Sequence, residues 1–109
     1  MRHSRGQYPR AAVLGAPHIR VFAGAPKGPA EATSRRQAIE SLEEAGAYAA
    51  AQGVWPGVEN HGGIAATPDG LPEMIKAITS PAAGINPDTG NFHGPDPIAE
   101  PARCAPRAV

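Results

Sequence analysis

Short β-type runs alternating with helix-period runs leave this chain little choice of architecture. Residues 18–23 (His-Ile-Arg-Val-Phe-Ala) are short, β-branched and aromatic, and Gly24 bounds them; they read as a strand. From residue 31 to 52, Ile39, Leu42, Ala45 and Ala49 recur at three- and four-residue steps. Arg35, Arg36, Glu40, Glu43 and Glu44 fall mostly on the other face, so this is a long amphipathic helix, and Gly53 stands where a helix-ending glycine would. Residues 54–58 read as a second strand. Thr67-Pro68-Asp69 opens a second helix, with Thr67 as N-cap and Leu71, Ile75 and Ile78 as its apolar stripe. Residues 83–86 read as a third strand. The order strand–helix–strand–helix–strand implies a parallel sheet with right-handed crossovers.

The remaining segments are weaker in pattern. Residues 1–10 have no periodicity and are expected to be a disordered tail. Residues 11–15 read as the close of a preceding helix, stopped by Gly15. Residues 25–29 and 59–66 read as loops. From residue 97 a short helix is conceivable, but Pro101 and Pro106 oppose a firm one.

Length sets the scale: 109 residues make one small domain, whereas a closed eight-stranded α/β barrel takes about 250. With 13 Pro, 13 Gly and 5% aromatics, a core must rest on Ala, Val, Ile and Leu. The formal net charge is +0, which gives no pull toward nucleic acid or an anionic membrane. No apolar run approaches the roughly 20 residues that span a bilayer, and residues 1–10 do not read as a signal peptide. The single cysteine, Cys104, cannot form an internal disulfide and has no neighbouring base to activate it. A reducing, cytoplasmic setting is the expectation.

Two polar clusters follow strand ends, where parallel α/β folds place their chemistry. Glu59 follows the second strand in Glu59-Asn60-His61-Gly62-Gly63. Asp88 follows the third in Asp88-Thr89-Gly90-Asn91-Phe92. Neighbouring strands lie about 4.8 Å apart, so the two carboxylates can converge on one divalent cation with oxygen ligands. Blander readings stand beside this one. An acid after a strand also serves as a cap, and Asp-x-Gly is ordinary turn chemistry. His61 also reads as a loop histidine bonded to backbone, with His93 a weaker ligand candidate still. Arg20 reads either as an anion-binding residue or as a member of a structural ion pair.

The order and spacing of three segments resemble the sugar-phosphate isomerase/epimerase family with the xylose-isomerase-like TIM barrel. They are Leu14-Gly15-Ala16-Pro17-His18-Ile19-Arg20-Val21-Phe22-Ala23-Gly24, then Gly53-Val54 with Glu59-Asn60-His61-Gly62-Gly63, then Asp88-Thr89-Gly90-Asn91-Phe92. The resemblance covers residues 11–109 and implies an incomplete (β/α)8 barrel, about strands four to six. It implies that Glu59 and Asp88 are metal ligands (for Mn2+, Mg2+, Co2+ or Zn2+) and acid/base groups. They would move a proton between adjacent carbons of a ketose or aldose through an enediolate. Asn91 matches a place where related enzymes often carry a substrate-contacting histidine. With His61 and Arg20 it is expected to face a sugar or sugar phosphate. The other two expected ligands, a His and a Glu, fall outside the chain.

The resemblance leaves alternatives: a non-catalytic remnant serving binding or assembly, or a DNA-repair endonuclease of the same barrel class, which the lack of a basic stripe opposes. Pro56, Pro72 and Pro87 depart from the pattern. The first and last are expected within interior strands and Pro72 inside a helix, where each removes a backbone bond; decay of an ancestral sequence or local bulges account for them. Arg107 stands where an aromatic residue is expected. Three strands with two unpaired edges are expected to be marginally stable unless they associate with another copy.

Overall fold

The computed structural model describes residues 6–24 and 30–109; the expected tail at 1–5 and the loop at 25–29 lie outside them. Helix α1 (Gln7–Leu14) leads into strand β1 (His18–Val21). The long helix α2 (Ala30–Ala51) is followed by β2 (Trp55–Glu59), a 3-10 turn (Gly63–Ala65), α3 (Gly70–Lys76) and β3 (Gly84–Asn86). A short helix α4 (Ala99–Ala102) and a second 3-10 turn (Ala105–Arg107) complete the order. The three strands form one parallel sheet in the order β1-β2-β3. This is the parallel α/β sheet expected from the alternation.

Each element follows from its residues. The α2 face carrying Ala38, Leu42, Ala45, Gly46 and Ala49 is buried, close to the predicted stripe. Gly53 turns the chain at φ +72°, a conformation that favours glycine. Its N–H reaches Ala50 O, and Val54 N–H reaches Ala49 O. Thr67 supplies the expected cap, its hydroxyl accepting the Gly70 N–H at 3.0 Å, although the helix proper begins at Gly70.

Strand alternation sorts the sheet into two faces. Val21, Val58 and Ile85 point toward the helices and pack with Leu42, Met74 and Ile75 in the main core. The opposite face carries Arg20, Gly57 and Glu59, with Trp55 46% exposed at its lower end. Gly57 and Gly84 keep this face low, since a Cβ on either would run into Val109. Val109 N–H donates to Ile85 O, and Ala108 bridges to Ile85 in parallel, so the C-terminal residues lie along the outer edge of β3.

Several expectations are corrected. The segment read as a tail is helical from Gln7, because Tyr8 and Ala11 pack against Ala45, Ala49 and Val54 in a second core cluster. Tyr8 is fully buried and its hydroxyl has no hydrogen-bond partner among the described residues; burial pushes its pKa up.

The prolines sit differently too. Pro56 does lie in the central strand, paired with Ile19. However, Trp55 N–H donates to Pro17 O, toward β1. Backbone groups alternate sides along a strand, so the Pro56 nitrogen faces β3, whose pairing starts only at Gly57↔Gly84. It therefore takes no donor from the β2–β3 ladder. Pro87 lies just beyond β3, not inside it. Pro72 is the third residue of α3, and the bonds on either side of it, Leu71 N–H to Thr67 O and Glu73 N–H to Asp69 O, are both present.

Among the described residues no helix is long and apolar enough to cross a membrane. Cys104 is fully buried, and burial raises its thiol pKa, which disfavours the reactive thiolate.

A candidate carboxylate site at the sheet edge

Glu59 is the last residue of β2 and only 2% exposed. A carboxylate at that depth needs charge compensation or hydrogen bonds, and it has some of each. Asn91 Nδ2 donates to Glu59 Oε1 at 3.1 Å. His61 Nδ1 lies 3.4 Å from the same oxygen and 3.4 Å from Asn91 Nδ2; it either accepts from Asn91 or, when protonated, pairs with Glu59. Arg20 Nη1 lies 3.0 Å from Glu59 Oε2. That separation makes an ion pair without hydrogen-bond alignment, so the buried Oε2 has no hydrogen-bond partner among the described residues.

Arg20 reaches Glu59 along one face of the sheet. Arg20 pairs with Gly57, which offers no side chain, and Glu59 is two residues further along the same face. The guanidinium also rests on Phe22, its Cζ 5.2 Å from the ring centroid, and the Phe22 ring stands 4.9 Å from that of His61. Arg20, 56% exposed in its side chain, thus combines both expected readings: it is ion-paired, yet half open to solvent.

Asp88 is placed through its backbone. Asn60, fully buried, donates from Nδ2 to Asp88 O at 2.9 Å and accepts the Asp88 N–H on Oδ1 at 2.6 Å. The Asp88 carboxylate accepts the Gly90 N–H at 2.9 Å, the turn chemistry weighed from the sequence. The structure therefore gathers Arg20, Glu59, His61 and Asn91 into one cluster and fixes Asp88 on the neighbouring strand end, tied to that cluster by Asn60.

An open cleft of about 720 Å³ lies beside the cluster, lined in part by His61, Thr67, Asn91, His93 and Glu100. Glu100 is buried and takes the Gly94 and Asp96 N–H groups on its carboxylate, which shapes the far wall. Asn60 lies within the Glu59–Gly63 segment with no pattern that assigns it a role, and no motif marks Glu100. The available signal for Asn60 was position alone, an amide directly after a buried strand. Glu100 sits in a proline-rich stretch with no helical pattern to expose it.

The arrangement suits a hard divalent cation in part. Glu59 Oε2 is a buried oxygen without a hydrogen bond, and carboxylate oxygens are the donors such ions take. Among the described residues, however, no group of three His, Cys, Asp or Glu is placed to hold a metal. These residues supply some of a ligand set.

Comparison with known proteins agrees with the fold. The family model for the xylose isomerase-like TIM barrel matches residues 3–109. A xylose isomerase-like TIM barrel protein from Mycobacterium smegmatis, solved in complex with magnesium, superposes with a TM-score of 0.76 at 23% identity. The match covers 98% of this chain and 43% of that one. A xylose isomerase domain protein from Planctomyces limnophilus gives a TM-score of 0.75 at 21% identity, over 99% of this chain and 40% of that one. At these identities the likeness speaks to fold: the open sheet is an arc of such a barrel, and the chain spans less than half the length of either relative. No curated protein matches the chain by sequence.

Proposed function

The chain belongs to the xylose isomerase-like TIM barrel family, and on that premise we propose that it carries part of a divalent-metal site for isomerising or epimerising a small sugar or sugar phosphate. The observation that carries this reading is the Glu59 carboxylate. It is buried at the C-terminal edge of a parallel sheet, keeps one oxygen that is ion-paired but without a hydrogen bond among the described residues, and stands on the strand next to the one that leads to Asp88.

Glu59 and Asp88 would hold the cation, Mn2+, Mg2+, Co2+ or Zn2+. Bound there, it would polarise the substrate's oxygens and favour the enediolate. The two carboxylates differ in setting, one buried and one at a loop, which suits them to take and return a proton at adjacent carbons. Asn91 and His61, which line the cleft, would bond sugar hydroxyls. Arg20 offers a half-exposed guanidinium for a phosphate or carboxylate. The magnesium held by the M. smegmatis protein supports the choice of ion class.

The test is calorimetric titration of Mg2+ and Mn2+ into the wild-type chain and into Glu59→Gln and Asp88→Asn. Millimolar or tighter binding that each substitution weakens at least about tenfold supports the reading, since one lost ligand charge is worth a factor of that order. Binding that ignores both substitutions overturns it.

A second reading, a non-catalytic fragment for binding or assembly, is favoured by the lack of a third ligand among the described residues and by the turn bond on the Asp88 carboxylate. Self-association through the outer edge of β1, which has no strand partner among the described residues, belongs to this reading. Millimolar manganese that neither binds nor raises the melting midpoint, together with a dimer in light scattering, would favour it.

A further inference from the structure

Arg20 occupies the side of Glu59 that a bound cation would need. Resting on the metal reading above, we propose that Arg20 is a displaceable counter-ion: it neutralises Glu59 in the metal-free protein and swings away when a divalent cation takes Oε2.

Four observations converge on this. Glu59 is 2% exposed, so its charged form must keep a positive partner at all times; exchange of one cation for another meets that demand, and simple loss of Arg20 does not. The Arg20–Glu59 contact is close but unaligned, 3.0 Å with no hydrogen bond, whereas Asn91 on the other oxygen makes a proper one. No directional bond has to break for Arg20 to leave. The Arg20 side chain is 56% exposed, so the guanidinium is already half in water. Finally, Phe22 gives it a second seat, with the ring 5.2 Å from Cζ and itself 49% exposed, so the freed cation keeps a partner at the mouth of the site.

The experiment pairs Mg2+ calorimetry with NMR of the labelled arginine side chains in the full chain, using wild type, Arg20→Gln and Arg20→Lys. Arg20→Gln is expected to bind Mg2+ about tenfold more tightly, as for a site that is vacant about one-tenth of the time in the wild type. Arg20→Lys, which keeps the charge, should bind like wild type or weaker than Arg20→Gln. In the wild type the Arg20 Nε–Hε signal should move toward that of a solvent-exposed guanidinium as Mg2+ saturates. Arg20→Gln affinity equal to or below wild type, or an Arg20 signal unmoved at saturation, overturns the inference while leaving the metal reading intact. If Glu59→Gln binds Mg2+ as well as wild type, or if neither wild type nor Arg20→Gln binds it, the metal reading itself fails and takes this inference with it.

Discussion

The Asn60 side chain closes a two-point clasp on the backbone of Asp88, donating to its carbonyl at 2.9 Å and accepting from its N–H at 2.6 Å. One amide therefore satisfies both polar groups of a residue on the next strand end. The relative placement of Glu59 and Asp88 rests on a neutral side chain between them in sequence position.

Asn60→Ala removes both bonds in a buried setting and leaves the Asp88 backbone groups unpaired. We expect a loss of about 2–3 kcal/mol in urea unfolding. If Glu59 and Asp88 hold a divalent ion as proposed, the same variant should weaken its binding. A loss under about 0.5 kcal/mol, the range of an ordinary surface change, would show that the clasp is replaceable by water.

Glu43 ties α2 to the loop before β3. Its carboxylate takes the Thr79 hydroxyl and N–H and the Ser80 N–H. The Thr79 hydroxyl, then the Thr79 N–H, hold its pKa below the ordinary 4.5, with desolvation opposing and the Ser80 N–H adding to the lowering. A depressed folded pKa adds stability that is present above the unfolded value and is lost as pH falls through the folded one. The stability gap between wild type and Glu43→Gln should therefore be full near neutral pH and close as pH drops below 4.5. Asp96, lowered by the Ala99 and then the Ile98 N–H, adds the same slope to both proteins and cancels in the comparison. A gap independent of pH in urea titrations would contradict the assignment.

Gly46 is a close approach of α2 to the loop before β3: a Cβ there would come within 2.5 Å of Ser80 Oγ and 2.9 Å of its Cβ. Alanine is worth about 1 kcal/mol to a helix over glycine, whereas overpacking costs about 1–3 kcal/mol. The steric effect should win, so Gly46→Ala lowers the melting midpoint. Gly46→Ala with Ser80→Gly should recover it relative to the single variant.

Pro56 offers a test of whether the prolines are damage. Its nitrogen takes no donor from the β2–β3 ladder, and its ring is buried. Pro56→Leu should give no rise in thermal midpoint, because no hydrogen bond is waiting to be restored and the ring's place must be refilled. A clear rise would return the decay explanation to favour.

What the sequence disclosed follows from which interactions are local. The α2 stripe, the Gly53 stop and the Thr67 cap depend on residues a few positions apart, and all three are where their chemistry placed them. Glu59 and Asp88 were legible as strand-end acids because apolar runs precede them. The role of Asn60 was hidden, because it depends on a turn 28 positions away. Helix α1 was misjudged at its start because its partners, Ala45, Ala49 and Val54, lie far along the chain. Pro56 was misjudged because alternation alone does not tell which neighbour a nitrogen faces; that required the register.

Gly57 has one more effect. Asn86 leans over it, and His18 Nε2–H reaches Asn86 Oδ1 at 3.3 Å, so β1 and β3 are joined directly across the middle strand. That contact adds a side-chain tie to the β1–β2 and β2–β3 ladders, so the outer strands are held to each other as well as to the strand between them.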